Sequence, residues 1–463
     1  MDRGRRRYQL CKKRCLILIL PDDPVLSRLE PYNLVSFAGI FVLIFLAWAL
    51  SRFVLKNKTE PNWRLIIWGV SLQLVYAFFI FVMPAGIALF KGINELVILI
   101  LSRASQGAAF VFGPLAAPPG QKGSLGFILA FQALPTIIFF SSLVAVFYYY
   151  PILPFIIRQF SKLFTRLMNL SGAESLCAAS NIFVGVESAI TVRPHIPKMT
   201  VSELNTMMTA GMATVASNVL ALYVFTLQDQ FSSIAGHLVS ASFLSAPAAL
   251  IMSKLFVPET RTPDTLGKNV TSHYERDASL FEAIINGATT GLKVAFNITA
   301  LLIAAMGLVA LLDLVFGGIG SLVNHVFGLS GEWTLKTFLG WLLYPFTLII
   351  GIPVSDAAII CEIIGERLIL TEVKSYQDLA AAMASQALNR PRSAVITAYA
   401  LCGFAHVASM AIFAGGISAL APERTADISK IALSALIAAT FACLLTACVA
   451  GTFFNQTSIL FGS

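Results

Sequence analysis

Glu187, Glu372 and His406 are ionisable residues set in stretches that are otherwise apolar or small. Burying such a group in hydrocarbon costs a few kcal/mol even on lenient insertion scales, so each needs a reason to be there. One reading is that the two carboxylates accept hydrogen bonds from hydroxyls or ring nitrogens of a polar solute, with the imidazole donating or accepting beside them. The other is that a helix end or partner side chain neutralises each one, and that it only holds backbone in place. The acids favour the first reading, whereas a lone histidine fits either. Asn181 and Thr214 add hard side-chain oxygens, and the turns around Val184 and Val215 can add backbone carbonyls. Such a donor set suits sodium in an unwound stretch; hydrogen bonding between helices accounts for it equally well. Glu174, Asp356, Glu362 and Glu366 fit an aqueous path or plain salt bridges, and His195, His237, His273 and His325 fall near segment ends or in loops, where water is expected.

The elements that must carry these residues are membrane spans. Of 463 residues, 57% are hydrophobic and 12% charged, against roughly a quarter charged in soluble proteins. A span needs about 20 mostly apolar residues, a test met by 34–51, 65–83, 125–149, 235–256, 295–315 and 431–450. The formal charge of +8 comes largely from short loops and segment ends, including Arg52, Lys56, Lys58 and Arg64, then Arg158, Lys162 and Arg166. The positive-inside bias places both groups in the cytoplasm and makes nucleic acid an unneeded partner. A basic tail, with Arg3, Arg5, Arg6 and Arg7 among its charges, precedes an apolar run too short to span. Residues 91–101 have the pattern of a helix lying in the interface, stopped by the Gly- and Pro-rich loop 113–123. The scattered cysteines have neither metal nor disulfide spacing and read as packing residues.

Two regions are too polar for simple spans. Residues 172–194 carry Glu174, Ser180, Asn181 and Glu187, and read as two half-length helices joined by a turn. Such a re-entrant hairpin is tolerated at membrane depth only where its open backbone is buried or lines a wet cavity. A helix over 201–225, interrupted around Thr214, follows it. The theme recurs as a second hairpin over 338–376 and a helix over 392–420 broken by Gly403 and His406. Two copies of hairpin plus interrupted helix point to a transporter of inverted repeats with its site where they meet. The count is about eight full spans and two hairpins.

Several runs resemble one family. They include Ser180-Asn181-Ile182-Phe183-Val184-Gly185, Gly211-Met212-Ala213-Thr214-Val215-Ala216, Gly351-Ile352-Pro353 and Ala400-Leu401-Cys402-Gly403-Phe404-Ala405. They are similar to the concentrative nucleoside transporters over about residues 31–455. The resemblance implies an all-α polytopic membrane protein, eight transmembrane helices with two re-entrant hairpins, in a plasma or bacterial inner membrane. It implies a homotrimeric, sodium- or proton-coupled nucleoside symporter with no cofactor beyond its coupling ion. A transport domain (151–256 and 334–455) would move past a scaffold (31–150 and 283–333) in an elevator motion, with 1–30, 257–282 and 456–463 as tail, polar loop and tail. By position, Asn181, Val184, Thr214 and Val215 fall where the family coordinates sodium. Gly185, Val186, Glu187 and Ser188 form the tip that meets the base, and Val219 and Phe404 flank it; Glu372, His406 and Ser409 meet the sugar. This chain departs from the pattern in having Val186 in place of a glutamine, one residue fewer before Arg193, and His406 in place of an asparagine. Those departures leave open a proton-coupled transporter of a modified nucleoside or other polar metabolite, or a receptor that binds without transport. No nucleophile–base pair or catalytic metal motif suggests an enzyme.

Overall fold

The computed structural model describes residues 30–455 except 119, 120, 122, 274, 275, 329, 330 and 332. The basic tail before residue 30 and the tail 456–463 lie outside the described residues. The only β feature among the described residues is a single bridge, Ser171 to Leu266.

Helix α1, Pro31–Ala49, starts on a proline whose missing N–H costs nothing at that position, and runs into a π-helical turn, Leu50–Val54. In α2, Trp63–Phe81, the Asn62 side chain accepts from the Leu65 N–H at 3.2 Å. Helix α3, Pro84–Phe112, lasts until Gly113, whose φ of +54° stops it. At 29 residues it is far longer than the interfacial helix expected at 91–101, and it is long and apolar enough to cross a membrane.

One sequence of elements then occurs twice. A single turn, Leu129–Gln132, leads into α4, Leu134–Tyr149, and on to the amphipathic α5, Ile152–Met168. Next come α6, Gly172–Asn181, and a 3-10 run, Val186–Lys198, which form the first hairpin. Pro194 and Pro197 lie inside the second arm and lack the N–H groups an α-helix would need there. The broken helix is α7, Val201–Ala213, with α8, Ser217–Leu227, and α9, Ile234–Phe256, closes the unit. The second unit begins with α10, Leu280–Phe327, followed by α11, Leu335–Ile349. Its hairpin is α12, Val354–Arg367, with α13, Glu372–Ala384. Its broken helix is α14, Pro391–Leu401, with α15, Val407–Leu420, and α16, Thr425–Thr452, ends it. The hairpin anticipated at 338–376 thus divides: α11 is a separate helix, and the turn at Gly351 (φ +86°) and Pro353 separates it from the arms.

Eight helices among the described residues could cross a bilayer by length and composition. Seven coincide with expected spans; α3 takes the place of the second broken helix, whose halves are each too short. Helix α10 was anticipated as 295–315 but runs for 48 residues, about 72 Å at 1.5 Å per residue. Most of it is exposed; its buried residues are Ala283, Gly287, Gly291, Ala295 and Gly320. The first four recur every fourth residue and let α4 approach closely, as a Cβ on Gly287 would stand 2.7 Å from the Ser142 Cα.

The other helices pack into one body around α9 and α16, and α1 and α2 join that body by packing on α16 and α9 respectively. Arg392 at the start of α14 is fully buried and donates to Tyr32 O, Asn33 Oδ1, Ser36 Oγ, Gly351 O and Gly451 O at 2.7–3.0 Å. At the centre the two broken helices cross at their breaks. Gly403 has φ +136°, and a Cβ there would lie 2.8 Å from the Ala213 carbonyl oxygen. Gly403→Ala therefore adds both backbone strain and a clash, about 2–5 kcal/mol, and its thermal midpoint in detergent should fall by roughly 2–5 °C. Gly92→Ala, in a helix with nothing within 4 Å, should leave the midpoint unchanged or raise it slightly.

Candidate functional site

Each hairpin tip reaches the break of its own broken helix through the same bond. The Phe183 carbonyl accepts from Ser217 N–H, the first residue of α8, at 3.1 Å; the Leu368 carbonyl accepts from Val407 N–H, the first residue of α15, at 3.1 Å. The two tips and two breaks enclose a cavity of about 170 Å³, lined by Gly185, Glu187, Val219, Glu372, Phe404, His406 and Ser409. Val294 and Asn297 of α10 form its opposite wall. Glu187 and Asn218 also line a second cavity, of about 360 Å³, against α4 and α10, so the two adjoin. The second falls within the range of ordinary small-molecule pockets, about 300–1,000 Å³, and the first is smaller.

Glu372 begins α13, where the positive end of the helix dipole favours a carboxylate. Its Oε1 accepts from the Tyr223 hydroxyl at 2.6 Å, and its Oε2 lies 2.9 Å from His406 Nε2. Tyr223 follows Val219 by one helical turn, on the same face, and its ring packs on Tyr376, centroids 4.7 Å apart. His406 caps α15: its Nδ1 accepts from Ser409 N–H at 3.2 Å, and the Ser409 hydroxyl lies 2.8 Å from Nε2. With Nδ1 accepting from the backbone, Nε2 is the ring nitrogen placed to donate toward Glu372.

The residues expected around an ion lie on the other side of the first tip. Helices α6 and α7 end at Asn181 and Ala213, presenting the carbonyl, negative ends of both half-helices to one region. Asn181 Oδ1 accepts from Ser188 Oγ at 2.9 Å while its amide donates to Cys177 O at 3.0 Å. Thr214 Oγ1 donates to Ala210 O at 2.8 Å, which leaves its lone pairs free to ligate. Val184 sits in the tip and also lines the larger cavity, and Val215 is buried within the break. Among the described residues no three His, Cys, Asp or Glu cluster as a transition-metal site would need.

The structure does not bring every expected side chain to the cavity. Ser188 is turned away, its hydroxyl taken by Asn181. Val186 opens the 3-10 run, and its side chain lies outside the described ones. His237, expected in water, is fully buried, with Nδ1 3.2 Å from the Tyr399 hydroxyl and the Phe81 and Phe231 rings beside it. Glu174 belongs to a capping box with Ser171 and pairs with Lys254 at 2.7 Å. Asp356 takes hydrogen bonds from Asn389 and Ser393, and Glu366 pairs with Lys336 at 3.0 Å. These acids therefore brace the hairpins. The five cysteines of the apolar segments, Cys177, Cys361, Cys402, Cys443 and Cys448, are free and buried, as packing residues should be.

Asn218 and Arg367 were missed in the sequence. Asn218 lines both cavities, donates to Ser141 Oγ at 3.2 Å, and has a buried Oδ1 with no hydrogen-bond partner. A carboxamide immediately after a break in an apolar half-helix is the signal that points to it. Arg367, the last residue of α12, is fully buried and donates to Ala400 O at 2.5 Å, near the end of α14, where the helix dipole offsets its charge.

Comparison with known proteins gives this geometry a family. The family described as Na+ dependent nucleoside transporter matches residues 38–115 by its N-terminal part and 237–451 by its C-terminal part, and the domain described as nucleoside recognition matches 130–230. Solute carrier family 28 member 3 of Mus musculus is 34% identical over 92% of this chain, which spans 59% of that relative's length. YutK of Bacillus subtilis, an uncharacterized transporter, is 35% identical over 90% of this chain and 98% of its own. The solved structure of CNTnw in an inward-facing substrate-bound state superposes with a TM-score of 0.80 at 32% identity, over 91% of this chain and 98% of the other. Related along almost its whole length to proteins of this kind, the chain belongs to the concentrative nucleoside transporter family.

Proposed function

We propose that this protein is a secondary active symporter that takes up nucleosides coupled to sodium. The observation that carries the reading is that Glu187 and Glu372, from different hairpins, line one cavity between the two helix breaks and α10. Glu372, with Ser409 and His406, holds the sugar hydroxyls; Glu187 faces the base edge, and Phe404 and Val219 take its faces. Asn218 supplies the carboxamide missing at Val186, because its unpartnered Oδ1 needs a donor such as a base amine. Sodium binds among Asn181, Val184, Thr214 and Val215, ordering the first tip against the break. Substrate then binds better once the ion is present, and the ion better once the substrate is.

Support for an elevator motion comes from the cavity's walls, one on the hairpin body and the other on α10, which packs almost solely on α4. The exposed apolar face of α10, with Leu308, Leu311 and Leu314, suits lipid or the neighbouring copies of a homotrimer.

In proteoliposomes, an inward sodium gradient should drive accumulation of radiolabelled uridine or adenosine; no ion-dependent uptake of any nucleoside would refute the proposal. Glu372→Gln should weaken half-saturation by between about ten- and a hundredfold, as the loss of a charged hydrogen-bond acceptor implies. Asn218→Ala should shift the ratio of half-saturation constants for uridine and adenosine by roughly five-fold, with the sodium dependence unchanged.

A further inference from the structure

An apolar groove of about 520 Å³ runs between α1 and α2 on the outside of the body, away from the solute cavity. Phe41, Phe45, Trp48, Trp63 and Ile67 line it, and all but Trp48 are more than half exposed. At one end it continues into a small polar pocket that shares Trp48, Pro61 and Leu255 and adds Arg52 and Asn57. Apolar length and a basic end are joined in one cleft.

Charge gathers at that same end. The connection between α1 and α2, with the first turn of α2, carries exposed Arg52, Lys56, Lys58 and Arg64 against a single acid, Glu60. Arg64 reaches across to donate to the carbonyls of Arg166 and Leu167 at 3.3 and 3.4 Å, which brings the end of α5 and its basic residues to the same side. The two basic stretches that charge bias assigns to the cytoplasm therefore meet in space. The cytoplasmic leaflet is where anionic lipids reside, and each nearby Lys or Arg adds to their attraction.

We propose that this cleft binds one anionic phospholipid of the cytoplasmic leaflet, an acyl chain lying along the aromatic groove and the phosphate held by Arg52 and the loop lysines. The charge complementarity selects this occupant over a zwitterionic lipid, and the narrow trough between two helices selects a chain over a protein surface. The lipid would hold α1 and α2 together from outside the body.

Trp48 and Trp63 report the cleft directly. The full chain is reconstituted in phosphatidylcholine with either brominated phosphatidylglycerol or brominated phosphatidylcholine at equal mole fraction, and tryptophan quenching is compared. Subtraction of the curve for Trp48→Phe/Trp63→Phe isolates the two groove indoles. At low salt the anionic lipid should bind there on the order of five-fold more tightly. At about 1 M salt, where the Debye length is near 3 Å, the preference should vanish in the unmodified protein, and Arg52→Gln/Lys56→Gln/Lys58→Gln should abolish it at low salt. Equal quenching by the two lipids at low salt would mark ordinary boundary lipid and overturn the proposal. So would a preference that salt leaves untouched, or no quenching by either, which would mean that protein covers the groove.

Discussion

Unwinding a helix inside a bilayer exposes amide and carbonyl groups that hydrocarbon cannot satisfy, and this chain does so at residues 214–216 and 402–406. Much of the architecture answers that demand. The hairpin tips supply carbonyls to Ser217 N–H and Val407 N–H, the His406 ring caps Ser409 N–H, and the two breaks cover each other where Gly403 meets Ala213. Only a residue without a Cβ permits that approach. The hairpins are therefore required partners of the broken helices, and the cavity is the space left over when four such ends converge.

That convergence also sets the electrostatics. Half-helix N-termini surround Glu372 and His406, whereas C-terminal carbonyls face the region of Asn181 and Thr214. One side of the first tip thus favours negative charge and the other positive. Glu372 keeps two partners, the Tyr223 hydroxyl and the His406 ring, so its carboxylate is held in place while lone pairs remain at the cavity.

Much of this was legible in the sequence because membranes impose strong periodic and compositional signals. Both broken helices and the first hairpin lay within a few residues of where small and polar residues interrupt apolar runs, and Glu187 and Glu372 stood out through the cost of burying charge. What escaped had weaker signals. The length of α10 is invisible to a window matched to bilayer thickness, although Ala283, Gly287, Gly291 and Ala295 repeat at the spacing of a packing seam. His237 looked solvent-facing because it lies near the start of α9, but its ring points into the protein. Asn218 hid among the other polar residues of the break, and no pattern in the sequence signals that the Ser188 hydroxyl bonds Asn181.

Arg392 ties the first span, the base of the second hairpin and the last helix to one guanidinium. A buried cation held by five neutral oxygens cannot shed any of them cheaply, so the N-terminal span is knotted into the same unit as the second hairpin and the last helix. Helix α10 stays outside that knot and meets the rest of the protein mainly along its glycine-lined seam with α4.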